Sequence, residues 1–181
     1  FGKPGAGKGT QAEFLKTKYN LVHLSTGDIF RFNIKNETDL GKLAKTFMDK
    51  GDLVPDEVTI QMLQSEVDKN QDSAGFLFDG FPRTLAQAEA LDVFLATKNE
   101  QITATIALEA DDEILIQRLL ERGKTSGRPD DQDEEKIRNR YDEYNQKTAP
   151  LMDYYKTQGK FHSVDGIGSI EEVTERLTKV F

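Results

Sequence analysis

The stretch GKPGAGKGT at residues 2–10 decides the fold, because its glycines and lysines follow the pattern G-x-x-x-x-G-K. Glycine lets the backbone adopt turns that other residues resist, so successive N–H groups can point at one anion. The helix predicted after the loop adds the positive end of its dipole, and Lys8 adds a full charge. The stretch therefore predicts a phosphate-binding loop, and the alternatives are a flexible glycine loop or a cloning remnant.

Two features at this end of the chain depart from the usual pattern. The residue after Lys8 is Gly9, where the pattern usually has the Ser or Thr that ligates magnesium, and Thr10 follows one position later. Direct ligation of a metal by a hydroxyl group is therefore left open. A strand, normally central in the sheet, should lead into such a loop, but only Phe1 precedes it. We expect either that several residues precede Phe1 or that another segment replaces the strand.

Composition limits the class of protein. A chain of 181 residues with 36% hydrophobic residues is long enough for one domain with a core. The net charge of −8 argues against nucleic-acid binding, which usually requires a basic face. The chain has no cysteine, which excludes disulfides, thiolate zinc sites and cysteine nucleophiles and fits a cytoplasmic protein. No apolar run is long enough to span a membrane.

Short apolar runs alternate with longer helical patterns along the chain. The strand-like runs lie at residues 21–25, 75–80, 101–110 and 160–166, with helices predicted between them. This alternation is typical of an α/β fold with a parallel sheet, in which ligands bind at the carboxyl ends of the strands. The glycine loop, STGD and DGFPR each follow a strand, counting the one expected before Phe1. They are therefore expected to form one site.

The segment DGFPRTLAQAE at residues 79–89 supplies polar groups to that site. Asp79 ends an apolar strand, where an acid can help hold magnesium directly or through water. The alternative is a buried aspartate that only caps the local backbone. Arg83 follows the rigid Pro82, and Gln87 lies one helical turn further along. Both side chains could therefore face the same ligand.

Arginine placement also indicates a phosphate ligand. The chain has eight arginines among its 24 basic residues, so lysine is the commoner surface cation. Arg118 and Arg122 share a helix face, Arg128 lies in the loop TSGRPDD, and Arg138 and Arg140 lie on different faces of the next helix. The planar guanidinium group suits phosphate oxygens, although any single arginine could be an ordinary surface residue. The two histidines, His23 and His162, are expected to be packed in strands.

The chain closely resembles the adenylate kinase family. The segments FGKPGAGKGTQA, LSTGDIFR, GDLVPDEV, FLFDGFPRTLAQAE, GRPDD and KTAPLMDYY occur in the order and spacing of that family and together cover essentially the whole chain. The segment between Arg122 and Arg140 is too brief for the long lid of some members, so the chain resembles the short bacterial form. The absence of cysteine excludes the zinc-binding variant of that lid.

The resemblance implies a role for each matching position. The ATP phosphates would be held by Gly5, Ala6, Gly7, Lys8, Gly9 and Thr10. The ATP site would be completed by Arg118, Arg122 and Gly168. AMP would be held by Thr26, Arg31, Asp52, Leu53, Val54, Gly80, Phe81, Pro82, Arg83, Gln87, Arg128 and Arg140. The catalytic residues would be Lys8, Arg83, Arg122, Arg128 and Arg140. Magnesium would be organised through water by Asp79, and Thr10 is the other candidate.

The resemblance also implies an architecture and a reaction. A parallel five-stranded sheet of the P-loop NTPase type, flanked by helices, would form the core from residues 1–24, 55–120 and 132–181. Residues 25–54 would form a helical AMP-binding flap, and residues 121–131 a short lid. The expected activity is reversible, magnesium-dependent phosphoryl transfer from ATP to AMP by a monomer. The alternatives are a UMP/CMP kinase, which Thr26 and Thr84 disfavour, and a P-loop switch, which lacks support because no guanine-binding N-K-x-D motif is present.

Overall fold

Helices and short parallel strands alternate along the chain, as the sequence predicts. The computed structural model describes residues 1–180, so Phe181 at the end of the predicted core lies outside them. The helices are α1 (Lys8–Tyr19), α2 (Thr26–Lys35), α3 (Asp39–Met48), α4 (Asp56–Lys69), α5 (Leu85–Ala96), α6 (Asp112–Ser126), α7 (Glu134–Glu143), α8 (Leu151–Thr157) and α9 (Ile170–Thr178). The strands are β1 (Val22–Ser25), β2 (Phe76–Asp79), β3 (Thr105–Glu109) and β4 (Phe161–Asp165). Within residues 1–180, no helix is long and apolar enough to cross a membrane.

Side-chain caps explain where several helices begin. The hydroxyl group of Thr84 accepts a hydrogen bond from the backbone N–H of Gln87 at the start of α5. Ser169 and Glu172 form a capping box at the start of α9. One boundary differs from prediction, because β3 is shorter than the strand expected at residues 101–110. A π-helical turn at Tyr144–Thr148 separates α7 from α8.

The strands form two parallel pairs, so the prediction of one five-stranded sheet is not confirmed. β1 pairs with β2, and β3 pairs with β4. Before the glycine loop, Phe1 alone extends a pair: its nitrogen donates to the carbonyl oxygen of Ile106, and its carbonyl oxygen accepts from the N–H of Leu108 at 2.9 Å. Within residues 1–180, no strand pairs with both β2 and β3. Residues of both strands, including Leu77 and Ile106, line one cavity of about 540 Å³.

Buried apolar clusters hold the loops at the carboxyl ends of these strands. The largest cluster joins α1, α6, α7, α9 and the β3–β4 pair, with Leu115, Leu119 and Ile137 fully buried. Its packing reaches the glycine loop, since a Cβ atom on Gly5 would lie 2.9 Å from the carbonyl oxygen of Leu115. A separate cluster around Phe30 joins α2 and α3 to α4. The core therefore fixes the phosphate loop against α6 and the helical flap against α4.

We expect Leu119→Ala to lower the free energy of unfolding by about 2–5 kcal/mol, because it removes a fully buried side chain and leaves a cavity. Val93→Ala on α5 is the control, because Val93 is 69% exposed. Its effect should stay within about 0.5 kcal/mol. Urea denaturation followed by circular dichroism measures both changes. Equal effects of the two substitutions would contradict this description of the core.

Candidate active site

The glycine loop places Lys8 at the start of α1. Gly7 has a φ of 90°, in the left-handed region that glycine adopts without strain, and the helix begins at the next residue. The Lys8 ammonium group donates to the carbonyl oxygens of Gly2 at 2.6 Å and Lys3 at 3.2 Å. Burial lowers the pKa of Lys8 to about 8, and the positive charges of nearby arginines add to that effect despite Asp79. Lys8 is therefore a desolvated cation with both a carboxylate and arginines nearby.

The register of β1 and β2 brings the STGD and DGFPR segments together. Ser25 lies opposite Asp79, so the next residues also meet, and the hydroxyl group of Thr26 donates to the carbonyl oxygen of Gly80 at 2.9 Å. The Nε atom of Arg83 donates to the same oxygen at 2.7 Å. Gly80 has a φ of 72°, and a Cβ atom there would lie 2.7 Å from the Arg83 guanidinium group. The positive φ therefore favours glycine here, and the missing side chain leaves room for the Arg83 guanidinium group.

Asp79 lies beside a histidine that the sequence reasoning assigned to the core. His23 is half-buried, and its Nε2 atom lies 3.4 Å from an Asp79 carboxylate oxygen, while its Nδ1 atom lies 3.3 Å from Glu13. Burial raises the pKa of Asp79, but His23 and the charge of Lys8 outweigh that effect and hold the pKa below its usual range. The position of His23 two residues before Ser25 on β1 was the available signal for this contact. In contrast, His162 is exposed, not packed as expected.

Arg83 belongs to the same positive group. Burial lowers its pKa to about 10, and the positive charge of Arg140 contributes in the same direction. The Phe81–Pro82 peptide bond before it is cis. Thr148, in the π-helical turn, donates its hydroxyl group to the Arg83 carbonyl oxygen at 2.9 Å. The structure therefore brings Arg83, Lys8 and Arg140 together, as expected.

A buried aspartate that the sequence reasoning did not select holds two of the predicted arginines. Asp131 has 0% of its surface exposed. One carboxylate oxygen accepts from Arg122 Nε at 2.7 Å, and the other accepts from Arg122 Nη2 at 3.0 Å and Arg140 Nη1 at 2.7 Å. Arg140 also pairs with Asp130 at 2.8 Å. The GRPDD motif was the signal, since Asp130 and Asp131 follow Arg128 and Pro129.

Arg128 and Arg31 meet at a second carboxylate. Asp28 pairs with Arg31 one helical turn away and lies 3.6 Å from Arg128, which comes from the predicted lid. Burial lowers the pKa of Arg128, and the charges of Arg31 and Arg122 add to it. The predicted lid and flap therefore contact one another through this ion pair.

The remaining residues expected at the AMP side lie along the flap and α5. Val54 is buried, and the Asp52 carboxylate accepts from Asn139 at 2.9 Å. Leu53 is half-buried beside them and lines the cavity of about 540 Å³. Gln87 is only 2% exposed. Its amide group is bonded to other protein groups, described below.

The residues expected at the ATP side are more exposed. Gly9 and Thr10 are exposed at the start of α1, and Arg118 is exposed on α6, one turn before Arg122. Gly168 is also exposed and has a φ of 135°. A Cβ atom at position 168 would lie 2.7 Å from a Glu172 carboxylate oxygen, which explains the glycine. No protein contact brings Arg118 to Gly168 among the interactions of residues 1–180.

The site fits a hydrated magnesium ion better than a metal held by protein ligands alone. Among residues 1–180, no group of three or more His, Asp or Glu side chains could hold a metal ion. Asp79 nevertheless offers an ionised carboxylate 3.8 Å from where a Cβ atom on Gly9 would lie, at the start of the phosphate loop. Magnesium prefers oxygen ligands and usually keeps several waters. One carboxylate beside a phosphate loop suits that chemistry.

We expect Lys8→Met to raise the free energy of unfolding by about 1–2 kcal/mol near pH 7, because it removes a desolvated charge. The folded-state pKa of Lys8, about 8, lies below its ordinary value of 10.5, so the charge destabilises the fold fully below pH 8. The gain from Lys8→Met should therefore fade between pH 8 and 10.5. Urea denaturation at pH 7 and pH 10 tests this. Lys42→Met, at an exposed position, should show no such dependence on pH.

The comparisons with known proteins agree on one family. A sequence model of the family described as adenylate kinase matches residues 1–160. The chain is 83% identical to the adenylate kinase of Flavobacterium psychrophilum over 180 residues, which cover 99% of this chain and 95% of the relative. It is 76% identical to the adenylate kinase of Flavobacterium johnsoniae with the same coverage, and 49% identical to that of Thermobifida fusca over 97% and 92% of the two chains. The phosphate loop and its converging arginines thus sit in a chain that belongs to the adenylate kinase family.

Proposed function

We propose that this protein transfers a phosphoryl group reversibly from ATP to AMP and forms two molecules of ADP, with magnesium bound to ATP. The family membership and the adenylate kinases of 83% and 76% identity support this reaction. Phosphoryl transfer requires little covalent chemistry from the protein, so positioning and charge stabilisation are the main demands on the site. The described geometry suits both demands.

The observation that carries the proposal is a set of cations around one cavity. The cavity of about 540 Å³ is lined by Lys8, Arg31, Arg83 and Arg140, and Asp131 joins Arg140 to Arg122 through direct hydrogen bonds. Like charges held this close in partly buried positions cost free energy, which a polyanion with several phosphate oxygens would offset. A reaction between two phosphorylated substrates concentrates such charge at one point. The cluster therefore supports a site for two nucleotides.

The two nucleotides would occupy opposite sides of this cluster. ATP would be bound by the loop and its neighbours: Gly5, Ala6, Gly7, Lys8, Gly9, Thr10, Arg118, Arg122 and Gly168. AMP would be bound by Thr26, Arg31, Asp52, Leu53, Val54, Gly80, Phe81, Pro82, Arg83, Gln87, Arg128 and Arg140. The shared hydrogen bonds of Thr26 and Arg83 to Gly80 support the second set. Arg122 is assigned to the ATP side and Arg140 to the AMP side, and both contact Asp131. This shared contact supports placing the transferred group where the two sides meet.

The protein's own groups would drive the transfer by placement. Lys8, Arg83, Arg122, Arg128 and Arg140 would neutralise the charge that spreads over the phosphoryl group in the transition state. Magnesium, when bound with ATP, supplies further charge neutralisation at the phosphate oxygens, and Asp79 would hold it through water, with Thr10 as a second candidate. Residues 25–54 would close as the AMP flap and residues 121–131 as the lid, and residues 1–24, 55–120 and 132–181 would form the static core. Closure excludes water and aligns the reacting atoms.

Several finer assignments belong to the same proposal. We infer a cytoplasmic monomer that binds neither nucleic acid nor membranes and carries no zinc. The net charge of −8 and the absence of cysteine support these inferences. A UMP/CMP kinase is the nearest alternative, and the adenylate kinase relatives favour AMP over it.

Acceptor specificity tests the proposal directly. The purified protein is mixed with magnesium-ATP and with AMP, UMP, CMP or no acceptor, and the diphosphates are quantified by anion-exchange chromatography. Rapid ADP formation that requires AMP is the expected result. Formation of UDP or CDP would transfer the protein to the pyrimidine kinases, and hydrolysis without acceptor would indicate an NTPase.

We expect Arg83→Ala to lower kcat/KM for AMP by about 10²–10³-fold, because it removes a buried cation from the transferred group's surroundings. Arg138→Ala is the matched control. Arg138 lies on the same helix as Arg140 but is exposed and pairs with Glu134 at 2.6 Å. A coupled assay of ADP formation compares the two variants. Near-normal activity of Arg83→Ala, or equal losses in both, would refute the assigned role.

A further inference from the structure

The amide group of Gln87 is held between a hydrogen-bond acceptor on one side and a hydrogen-bond donor on the other. Gln87 is 2% exposed, and its Nε2 atom donates to Asp56 Oδ1 at 2.7 Å. Its Oε1 atom accepts from the backbone N–H of Arg83, also at 2.7 Å. Both hydrogen bonds are short and involve partly buried partners. They leave the amide with one free N–H and one free lone-pair direction on Oε1.

These partners determine which position the amide oxygen takes and which position the amide nitrogen takes. An ionised carboxylate can only accept hydrogen bonds, and a backbone N–H can only donate. Rotating the Gln87 amide by half a turn would place two acceptors together at Asp56 and two donors together at Arg83. Both bonds would then be lost in a partly buried place, where an unsatisfied polar group is costly. The order of oxygen and nitrogen in this amide is therefore set by Asp56 and Arg83 together.

Asp56 is itself held by the next helix. It is the first residue of α4, and its second carboxylate oxygen accepts from the hydroxyl group of Thr84 at 2.8 Å. That hydroxyl group in turn accepts from the backbone N–H of Gln87 at 3.2 Å as the cap of α5. The first turns of α4 and α5 are thus joined by one carboxylate. Asp56 is the anion of this network. Because it can only accept hydrogen bonds, the groups that contact it must donate.

We propose that Asp56 is a positioning residue that makes the acceptor site specific for a 6-amino purine over a 6-oxo purine. This inference rests on the proposed function, in which Gln87 belongs to the AMP site, and it takes the Gln87 amide to pair with the acceptor base. Adenine presents an amino donor beside a ring-nitrogen acceptor, whereas hypoxanthine presents a carbonyl acceptor beside a ring N–H donor. An amide whose oxygen and nitrogen positions are fixed can pair with only one of these two base edges. It must rotate by half a turn to pair with the other. Asp56 opposes that rotation.

Asp56→Asn tests this role with a side chain of nearly the same shape. Asparagine can either donate to or accept from Gln87, so the amide loses part of its orientational preference. We expect the ratio of kcat/KM for AMP to kcat/KM for inosine monophosphate to fall about tenfold or more, the discrimination typical of one paired base edge. The KM for ATP should change by less than about twofold, because the ATP phosphates are held by the glycine loop. Initial rates with varied acceptor at saturating ATP give the ratio, and initial rates with varied ATP at saturating AMP give the KM for ATP.

Glu57→Gln is the matched control. Glu57 is exposed, and its substitution removes the same charge from the same first turn of α4. It should leave the AMP-to-inosine monophosphate ratio within about twofold of the wild-type value. Thr84→Val provides a second route if Asp56→Asn does not fold. It removes the hydroxyl group that holds Asp56 and should shift the ratio in the same direction.

The outcomes separate this inference from the proposed function. A folded Asp56→Asn protein whose rates with both acceptors fall equally would show a structural role only and overturn the inference. An unchanged ratio would overturn it as well. Failure of the wild-type protein and Glu57→Gln to form ADP from ATP and AMP would instead refute the proposed function. A lower ratio in Asp56→Asn with a normal ratio in Glu57→Gln supports the assignment.

Discussion

The structure depends on holding several positive charges near one another and partly out of water. Lys8, Arg83 and Arg140 line one cavity and repel one another, and the burial of Lys8 and Arg83 removes much of the solvent that would screen their charges. The fold accepts this cost because its apolar clusters, rather than its ion pairs, hold the elements in place. The cations can therefore be arranged for a ligand instead of for each other. Their repulsion then becomes a source of binding free energy for an anion.

Carboxylates partly offset the repulsion, each in a different way. Asp131 is fully buried and holds Arg122 and Arg140 by direct hydrogen bonds, so it sets the directions of both guanidinium groups. Asp79 lies closer to Lys8 and His23 and keeps an ionised oxygen pair at the end of β2. Asp56 contacts none of these cations and instead orients a neutral amide. The site thus uses acids for position as much as for charge.

The sequence predicted the parts of this site that depend on local patterns. The glycine loop, the acid at the end of β2 and the helix caps follow from residue spacing, and the β1–β2 register then places Thr26 beside Gly80. The contacts of Asp131, His23 and Asp56 do not follow from spacing alone, although the GRPDD motif and the place of His23 on β1 were signals for two of them. Each contact depends on tertiary packing. The five-stranded sheet was implied by the family resemblance, whereas alternation predicts only a parallel sheet and does not determine the strand order. Strand pairing depends on which backbones come together. Before the glycine loop, Phe1 alone hydrogen-bonds to β3.

The ion pairs of Asp28 lie at the surface, where dissolved salt can weaken them. The Asp28 side chain is 59% exposed and pairs with Arg31, in the proposed flap, and with Arg128, in the proposed lid. Dissolved ions screen exposed charges over a Debye length of about 10 Å at 0.1 M salt. Added salt would therefore weaken these ion pairs and ease movement of the proposed flap and lid, but it would also weaken the attraction that draws a charged nucleotide inward. Ionic strength would thus affect the entry of a nucleotide and the electrostatic attraction of that nucleotide in opposite directions.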